Sequence, residues 1–266
     1  MCGIVGFINN SIENKKNIIK VMADSISHRG PDAEGFFTDD YIALGHRRLS
    51  IIDIDGGIQP FYDEQNRYVL IYNGECYNFI ELREELTSLG HTFNTKSDTE
   101  VILKLYIEYK EEAFIKINGM FSLAIYDKKE QTVIISRDRH GVKPLYYAIV
   151  NDNLVFASEI KAILKYPEYK KELEYDTLNE YFSFQNIFSD LTFYKDIKKL
   201  EHGSYLFFDV NSKKYDITQY WDFNFDSSSW EHNEKETIEI LKDTFSTAVK
   251  RQMVSDVPIG SCLSGG

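Results

Sequence analysis

The order of the predicted helices and strands constrains the fold of this chain most strongly. Two amphipathic helices are predicted at residues 78–90 and 97–109, because apolar residues recur there every three or four positions. Short apolar segments separated by polar turns surround this pair and predict mostly antiparallel strands. These strands are predicted at residues 3–8, 36–37, 41–45, 68–72, 121–126, 132–136, 145–150, 154–157 and 203–208. Helices inserted between runs of antiparallel strands are typical of an α+β fold rather than of a regular βαβ alternation.

Polar residues predict where the two helices begin. Asn78 is followed three residues later by Glu81, and Ser97 is followed by Glu100 at the same spacing. This spacing is typical of a capping box, in which each side chain accepts a hydrogen bond from the backbone of the other residue. Gly90 is expected to end the first helix. The inward face of that helix is predicted to carry Phe79, Leu82, Leu86 and Leu89.

Residues 211–266 differ in pattern from the rest of the chain. Residues 211–232 are polar and aromatic without a clear period, which predicts a connection between domains. A further amphipathic helix is predicted to begin at Asn233. Its inward face is predicted to carry Ile238, Leu241, Phe245 and Val249. We therefore predict one domain over residues 1–210, a connection, and the start of a second domain over residues 233–266.

The composition argues against several classes of partner. The 30 basic and 42 acidic residues give a formal net charge of −12, which disfavours nucleic acid or an anionic membrane as a partner. The cysteines Cys2, Cys76 and Cys262 have no paired spacing, so neither a disulfide framework nor a metal site is predicted. No apolar segment has the length of a membrane span and no signal-peptide pattern is found, so we expect a cytoplasmic protein.

Cys2 is the thiol best placed for chemistry. Methionine is normally removed before a small residue, so we expect Cys2 to become the first residue, with a free α-amine beside its thiol. An α-amine titrates near about 7.7–8.0, which makes it a base of suitable strength to activate the sulfur. His28 and His46 are then not needed as bases and are interpreted as structural. Taken alone, an early cysteine is more often a packing residue, and retention of Met1 would block the amine.

Four other residues suggest a substrate for this thiol. Asn73 and Gly74 follow a predicted strand and offer a side-chain amide and an unhindered backbone N–H, which suit an oxyanion. Arg48 can bind a carboxylate with two parallel hydrogen bonds, and Asp98 can bind an ammonium group. With Cys2, they predict a site for an amino acid that carries a side-chain amide. Each also has a structural interpretation: a hairpin turn for the Asn-Gly pair, a solvated charge for Arg48, and a favourable helix N-terminal charge for Asp98.

A set of short motifs gives the chain a resemblance to a known family. The motifs are residues 1–4 (Met-Cys-Gly-Ile), 28–32 (His-Arg-Gly-Pro-Asp), 48–51 (Arg-Leu-Ser-Ile), 73–75 (Asn-Gly-Glu), 97–98 (Ser-Asp), 119–121 (Gly-Met-Phe), 137–146 (Arg-Asp-Arg-His-Gly-Val-Lys-Pro-Leu-Tyr), 156–159 (Phe-Ala-Ser-Glu), 255–260 (Ser-Asp-Val-Pro-Ile-Gly) and 263–266 (Leu-Ser-Gly-Gly). In this order the chain resembles the glutamine-hydrolysing asparagine synthetases, whose first domain is a class II glutamine amidotransferase. The resemblance implies a four-layer αββα sandwich of the N-terminal-nucleophile hydrolase type, followed by the first helix and strand of a truncated α/β ATP-pyrophosphatase domain.

The resemblance also implies a reaction that needs no cofactor. Cys2 would attack the side-chain amide of glutamine while its own α-amine relays the proton, and Asn73 and Gly74 would form the oxyanion hole. A glutamyl thioester would form, ammonia would leave, and water would release glutamate. Arg48 would bind the α-carboxylate of glutamine. The α-ammonium would be bound by Glu75 and Asp98, and the pocket would be lined by Leu49, Ser50, Ile51 and Ile52.

A second site is implied at the C-terminal end of the sequence. Leu263, Ser264, Gly265 and Gly266 resemble the start of a loop that binds the phosphates of ATP. The complete synthetase would use ATP and Mg²⁺ to activate aspartate, with ammonia as the other reactant and a homodimer as a possible assembly. Two alternatives stay open: a glutaminase domain that serves another acceptor, and a non-catalytic truncated module.

Overall fold

The computed structural model describes residues 1–51, 53, 56–225 and 232–261. Its strands are β1 (Gly3–Ile8), β2 (Ala33–Thr38), β3 (Ile42–Arg48), β4 (Phe61–Tyr62), β5 (Tyr68–Cys76), β6 (Gly119–Asp127), β7 (Thr132–Arg137), β8 (Tyr146–Val150), β9 (Asn153–Ala157), β10 (Ile197–Lys199), β11 (Ser204–Asp209) and β12 (Tyr215–Gln219). Its α-helices are α1 (Lys15–Asp24), α2 (Phe79–Ser88), α3 (Asp98–Tyr109), α4 (Ala113–Lys116), α5 (Ile160–Ile163), α6 (Tyr175–Phe184) and α7 (Glu234–Gln252). Each of the nine strands predicted between residues 3 and 208 overlaps an observed strand. Among the described residues, no helix is long and apolar enough to cross a membrane.

The strands form two six-stranded sheets. The first has the order β10-β8-β9-β1-β3-β2, and the second has the order β12-β11-β7-β6-β5-β4. Their neighbouring strands pair antiparallel throughout. The N-terminal strand β1 lies inside the first sheet, between β3 and β9. The residue that precedes β1 is therefore held close to the end of a paired strand.

Three apolar clusters separate four layers. In β1, Val5 and Phe7 pack in a cluster with residues of α1 and α5, whereas Ile4 and Ile8 pack in a cluster with the second sheet. On the far side of the second sheet, residues of β5 such as Leu70 pack with α2 and α3. Successive side chains of a strand point to opposite faces, so a strand buried on both faces is apolar throughout. The layers are helix, sheet, sheet and helix, which confirms the predicted αββα sandwich.

The Asn-Gly pair is part of a strand. Strand β5 continues through both residues, with Asn73 opposite Ser122 and Gly74 opposite Phe121. A Cβ atom at Gly74 would press against the carbonyl oxygen of Met120 in the neighbouring strand, so only glycine fits there. The interpretation of these residues as a hairpin turn is therefore wrong.

The two predicted capping boxes form only in part. Asn78 makes no cap bond to α2, because its side chain binds two backbone groups just before β6 instead. Ser97 does cap α3 and accepts the N–H of the second helical residue at 3.1 Å. Glu100 does not return the bond, since its carboxylate accepts the N–H groups of Asn94 and Thr95. Sequence spacing could not show that loop backbone groups compete for the same side chains.

The C-terminal part differs from the prediction in three ways. Residues 215–219, predicted as irregular, form β12 and pair with β11. The predicted inward residues of α7 are exposed: Ile238, Leu241, Phe245 and Val249. Leu89, the residue that follows α2, is exposed as well. The strand that the resemblance implies after α7 is not formed over residues 257–261, and residues 262–266 lie outside the described residues. A helical period identifies an apolar face but not the surface that covers it.

Replacing Phe156 with alanine tests the packing between the sheets. Its side chain is fully buried and fills the space that a Cβ atom on Gly6 would occupy. We expect Phe156→Ala to lower the free energy of unfolding by about 3–5 kcal/mol, measured by urea denaturation. Phe182→Ala is the matched control, because Phe182 is 79% exposed and should cost less than about 0.5 kcal/mol. Equal losses in both variants would contradict the proposed core.

Candidate active site

Strand β1 holds Cys2 beside the loop that follows β3. Gly3, the first residue of β1, pairs with Arg47 of β3. The Sγ atom of Cys2 lies 3.5 Å from the carbonyl oxygen of Leu49 and accepts the N–H of the same residue at 3.4 Å. Nε of Arg29 donates to the carbonyl oxygen of Cys2 at 2.8 Å. These contacts position the thiol against the segment that follows β3; we call its described residues 49–51, 53, 56 and 57 the 49–57 loop.

Burial controls the protonation of the N-terminal groups. It raises the pKa of the Cys2 thiol, while the hydrogen bond from Leu49 and the positive N-terminus act in the opposite direction. Burial also lowers the pKa of the α-amine, which belongs to Met1 in the chain as described. With its pKa above the ordinary value, the thiol holds its proton near neutral pH and needs a nearby base before it can act as a nucleophile.

A polar cleft opens next to this thiol. The empty space within it is about 320 Å³ when the part open to solvent is included. Among the predicted residues, it is lined by Arg48, Leu49, Ile51, Gly74, Glu75 and Asp98. The cleft is also lined by Gly57, Gln59, Tyr72, Ser97 and Thr99. Residues far apart in the sequence thus meet at one place, and the cleft combines groups of both charges.

Three predicted residues need separate description. Asn73 is buried and does not line the cleft, and its side-chain amide donates to Oγ of Ser122 at 3.4 Å. The backbone N–H of Ser50 donates to the Asp32 carboxylate at 2.9 Å, and Ser50 does not line the cleft. Ile52 lies outside the described residues. The structure therefore brings together most, but not all, of the predicted pocket.

Arg48 is buried, not solvated. It is 7% exposed, and its Nη2 atom donates to the carbonyl oxygen of Asp53 at 2.7 Å. Gly57 lies against the same guanidinium group and has no side chain to displace it. The alternative interpretation as a solvated charge is therefore wrong. The contact with the Asp53 carbonyl holds the guanidinium group in place, and a guanidinium group can bind a carboxylate through two parallel hydrogen bonds.

Asp98 and Glu75 form a pair of carboxyl groups in the cleft. The Oδ2 atom of Asp98 accepts the hydroxyl of Tyr72 at 3.1 Å and the backbone N–H of Cys76 at 3.0 Å. Burial raises the pKa of Asp98, whereas these two hydrogen bonds favour its charged form. Burial and the nearby Asp98 charge raise the pKa of Glu75 to about 8. Two close carboxyl groups, one of which retains a proton, form a site suited to a cation.

Lys143 is a buried cation near this pair to which the sequence analysis gave no role. It is 5% exposed, and burial lowers the pKa of its ammonium group while the charges of Glu75 and Cys2 oppose that shift. Its backbone is tightly held, because its N–H donates to Asp138 and its carbonyl accepts from Arg137. Arg137 and Asp138 of the 137–146 motif could have indicated this arrangement, because both side chains bind backbone groups of the loop that carries Lys143.

Gln59 is another residue of the cleft that the sequence analysis missed. Its Oε1 atom accepts the backbone N–H of Tyr72 at 2.6 Å, which ties the residue before the cis proline to β5. The carbonyl oxygen of Tyr72 accepts a hydrogen bond from Nε2 of His46 at 3.0 Å. Burial lowers the pKa of His46 to about 3, so this ring is neutral and has a structural role.

The remaining predictions concern metals, the other cysteines and ATP. Among the described residues, no group of three or more His, Cys, Asp or Glu side chains could hold a metal ion. Cys76 is buried, and burial raises the pKa of its thiol well above the ordinary value. The predicted phosphate loop falls on Leu263, Ser264, Gly265 and Gly266, which lie outside the described residues.

Comparisons with known proteins give the site its context. The chain is 42% identical to asparagine synthetase [glutamine-hydrolyzing] 1 and 37% identical to asparagine synthetase [glutamine-hydrolyzing] 3, both of Bacillus subtilis. Each match covers 100% of this chain but only 42% and 44% of the relatives, so the chain spans less than half of their length.

Similarity in three dimensions extends to a more distant protein. The solved structure of glutamine phosphoribosylpyrophosphate amidotransferase from B. subtilis superposes with a TM-score of 0.61 at 21% identity, over 84% of this chain and 50% of that one. At this identity the similarity concerns the fold alone.

Two family models match the chain. The asparagine synthase model matches residues 240–266. The glutamine amidotransferase domain model matches residues 1–221, which include every described residue of the cleft. The chain therefore belongs to the glutamine amidotransferase domain family.

Proposed function

We propose that this chain hydrolyses glutamine to glutamate and ammonia, as the glutaminase part of a longer asparagine synthetase. One observation carries the proposal: the Cys2 thiol contacts Leu49 at a cleft that also contains Arg48 and the carboxyl pair of Glu75 and Asp98. This arrangement combines a nucleophile with groups that can bind the α-carboxylate and the α-ammonium group of an amino acid. The relatives named above are glutamine-hydrolysing asparagine synthetases, which supports the same assignment.

Recognition of glutamine follows from charge. Arg48 binds the α-carboxylate, and Glu75 with Asp98 binds the α-ammonium group. With the α-carbon held at these residues, the side-chain amide extends toward Cys2. Amino acids with shorter side chains would leave their amide out of reach of the thiol.

The chemistry then proceeds in two stages. After removal of Met1, the α-amine of Cys2 accepts the thiol proton, and the sulfur attacks the amide carbon. The side-chain amide of Asn73 and the N–H of Gly74 stabilise the oxyanion. Ammonia leaves with the proton that the amine returns, and a glutamyl thioester remains. Water attacks the thioester, and glutamate and the free thiol are formed.

The use of the ammonia belongs to the longer protein. Residues 240–266 match the asparagine synthase model, which favours aspartate as the acceptor over a phosphoribosyl or sugar-phosphate acceptor. In that protein the loop beginning at residues 263–266 would bind ATP, which with Mg²⁺ activates the acceptor carboxylate. A cytoplasmic location and a homodimeric assembly are part of the same proposal.

Cys2→Ala tests the assignment of the nucleophile. Removing the sulfur should lower glutamate release by at least about 1,000-fold, measured with a coupled glutamate assay. A glutamine-like electrophile should label Cys2 and leave Cys76 unmodified, because Cys76 is buried and its thiol pKa is raised. Intact mass establishes that Met1 is absent from the sample. Full activity in Cys2→Ala would refute the proposed chemistry.

The pH dependence of binding tests the ammonium site. In a Cys2→Ala background, glutamine should bind more tightly as the pH rises through about 8, because the pKa of Glu75 is raised to about 8 and its carboxyl becomes negative there. Calorimetry between about pH 6.5 and 8.5 measures this change without interference from catalysis. Cys2→Ala/Glu75→Gln should lack it. Identical pH profiles for the two proteins would exclude Glu75 from binding.

Arg48→Lys tests the carboxylate site. A lysine keeps the charge but cannot form two parallel hydrogen bonds, so KM for glutamine should rise about 10–100-fold with a smaller change in kcat. Arg47→Lys is the matched control, because Arg47 lies next to it in β3 but pairs with Asp24 and Glu34. An equal change in both variants would show that the effect is not specific to the cleft.

A further inference from the structure

Asp53 connects the elements that build the cleft. Its backbone has a φ of 48°, a left-handed conformation that is uncommon for a residue other than glycine. Its carbonyl oxygen accepts Nη2 of Arg48 at 2.7 Å and the N–H of Gly57 at 2.9 Å. Its conformation therefore determines where the carbonyl that orients Arg48 points.

The Asp53 side chain extends this connection to α3. Its Oδ1 atom accepts the N–H of Gly56, and its Oδ2 atom accepts the N–H of Lys96, both at 2.9 Å. Lys96 lies two residues before Asp98. Asp53 thus contacts both the guanidinium group proposed to bind the α-carboxylate and the segment leading to the carboxylate proposed to bind the α-ammonium.

A distant segment of the chain holds the remaining polar group of Asp53. The backbone N–H of Asp53 donates to Oδ2 of Asp256 at 2.8 Å, and the N–H of Asp256 donates to the carbonyl oxygen of Ile51 at 3.2 Å. Residues 255–257 follow α7 and form a turn, in which Oγ of Ser255 accepts the N–H of Val257 at 3.1 Å. Two hydrogen bonds therefore join this turn to the 49–57 loop, and the bond between Asp53 and Asp256 spans 203 positions of sequence.

We propose that Asp256 is a positioning residue for the glutamine site. By accepting the N–H of Asp53, its carboxylate fixes the 49–57 loop in the conformation that orients Arg48. The affinity for glutamine then depends on the segment after α7, which lies in the part of the chain that matches the asparagine synthase model. This inference rests on the proposed function, because it concerns the binding of glutamine at the same cleft.

Replacing Asp256 in the full chain tests this inference. Asp256→Ala should raise KM for glutamine about tenfold and leave kcat within about twofold, because the loop contributes to binding while Cys2 and Gly74 are untouched. Asp256→Asn keeps an oxygen acceptor and should restore most of the affinity. Glu239→Ala, which removes an exposed carboxylate from α7, is the matched control and should leave KM unchanged.

Amide hydrogen exchange tests the contact independently of activity. Exchange of the N–H of Asp53 should become faster in Asp256→Ala than in the wild-type chain, with little change in β1 or β5. An unchanged KM together with unchanged exchange would overturn the inference. A wild-type chain that neither binds nor hydrolyses glutamine would instead overturn the proposed function, and exchange at Asp53 would still decide whether Asp256 holds the loop.

Discussion

The pairing of β1 between β3 and β9 is the constraint on which the site depends. It places residues 3–8 inside a sheet, where hydrogen bonds to the strands on both sides fix their position. The thiol of Cys2 therefore lies against Leu49, which follows directly after β3. The second sheet packs on the first through a shared apolar cluster, so Gly74 of β5 is brought to the same end of the sandwich.

Electrostatics explain why the cleft suits a zwitterion. Arg48 and Lys143 are buried cations, Asp98 is a buried carboxyl group, and Glu75 is a half-buried one. Each is costly to bury alone, and the arrangement is stabilised when opposite charges are near one another. An amino acid bound through its α-carboxylate and α-ammonium groups adds one charge of each sign. Burial and the nearby Asp98 raise the pKa of Glu75 because they destabilise its negative form, and a cation beside the carboxyl group would stabilise that form.

The sequence predicted local features well and their partners poorly. Strands and helices were predicted because alternating or helical apolar patterns depend only on nearby residues. The capping box at Asn78 was wrong because a loop near β6 provides better partners for its side chain. The burial of Lys143 near Glu75 was not predicted, because it depends on the folding of a loop held by Arg137 and Asp138.

The sequence by itself determined the α+β pattern, the amphipathic faces and the resemblance that pointed to Cys2, because these are encoded in residue order. Only the tertiary structure decided that Asn73 and Gly74 belong to a strand, that Arg48 is buried, and that the α7 apolar face is exposed in the described chain. It also decided that Asp256 reaches Asp53. The physical reason is that burial, pKa shifts and long-range hydrogen bonds depend on which surfaces meet, and residue order does not specify this locally.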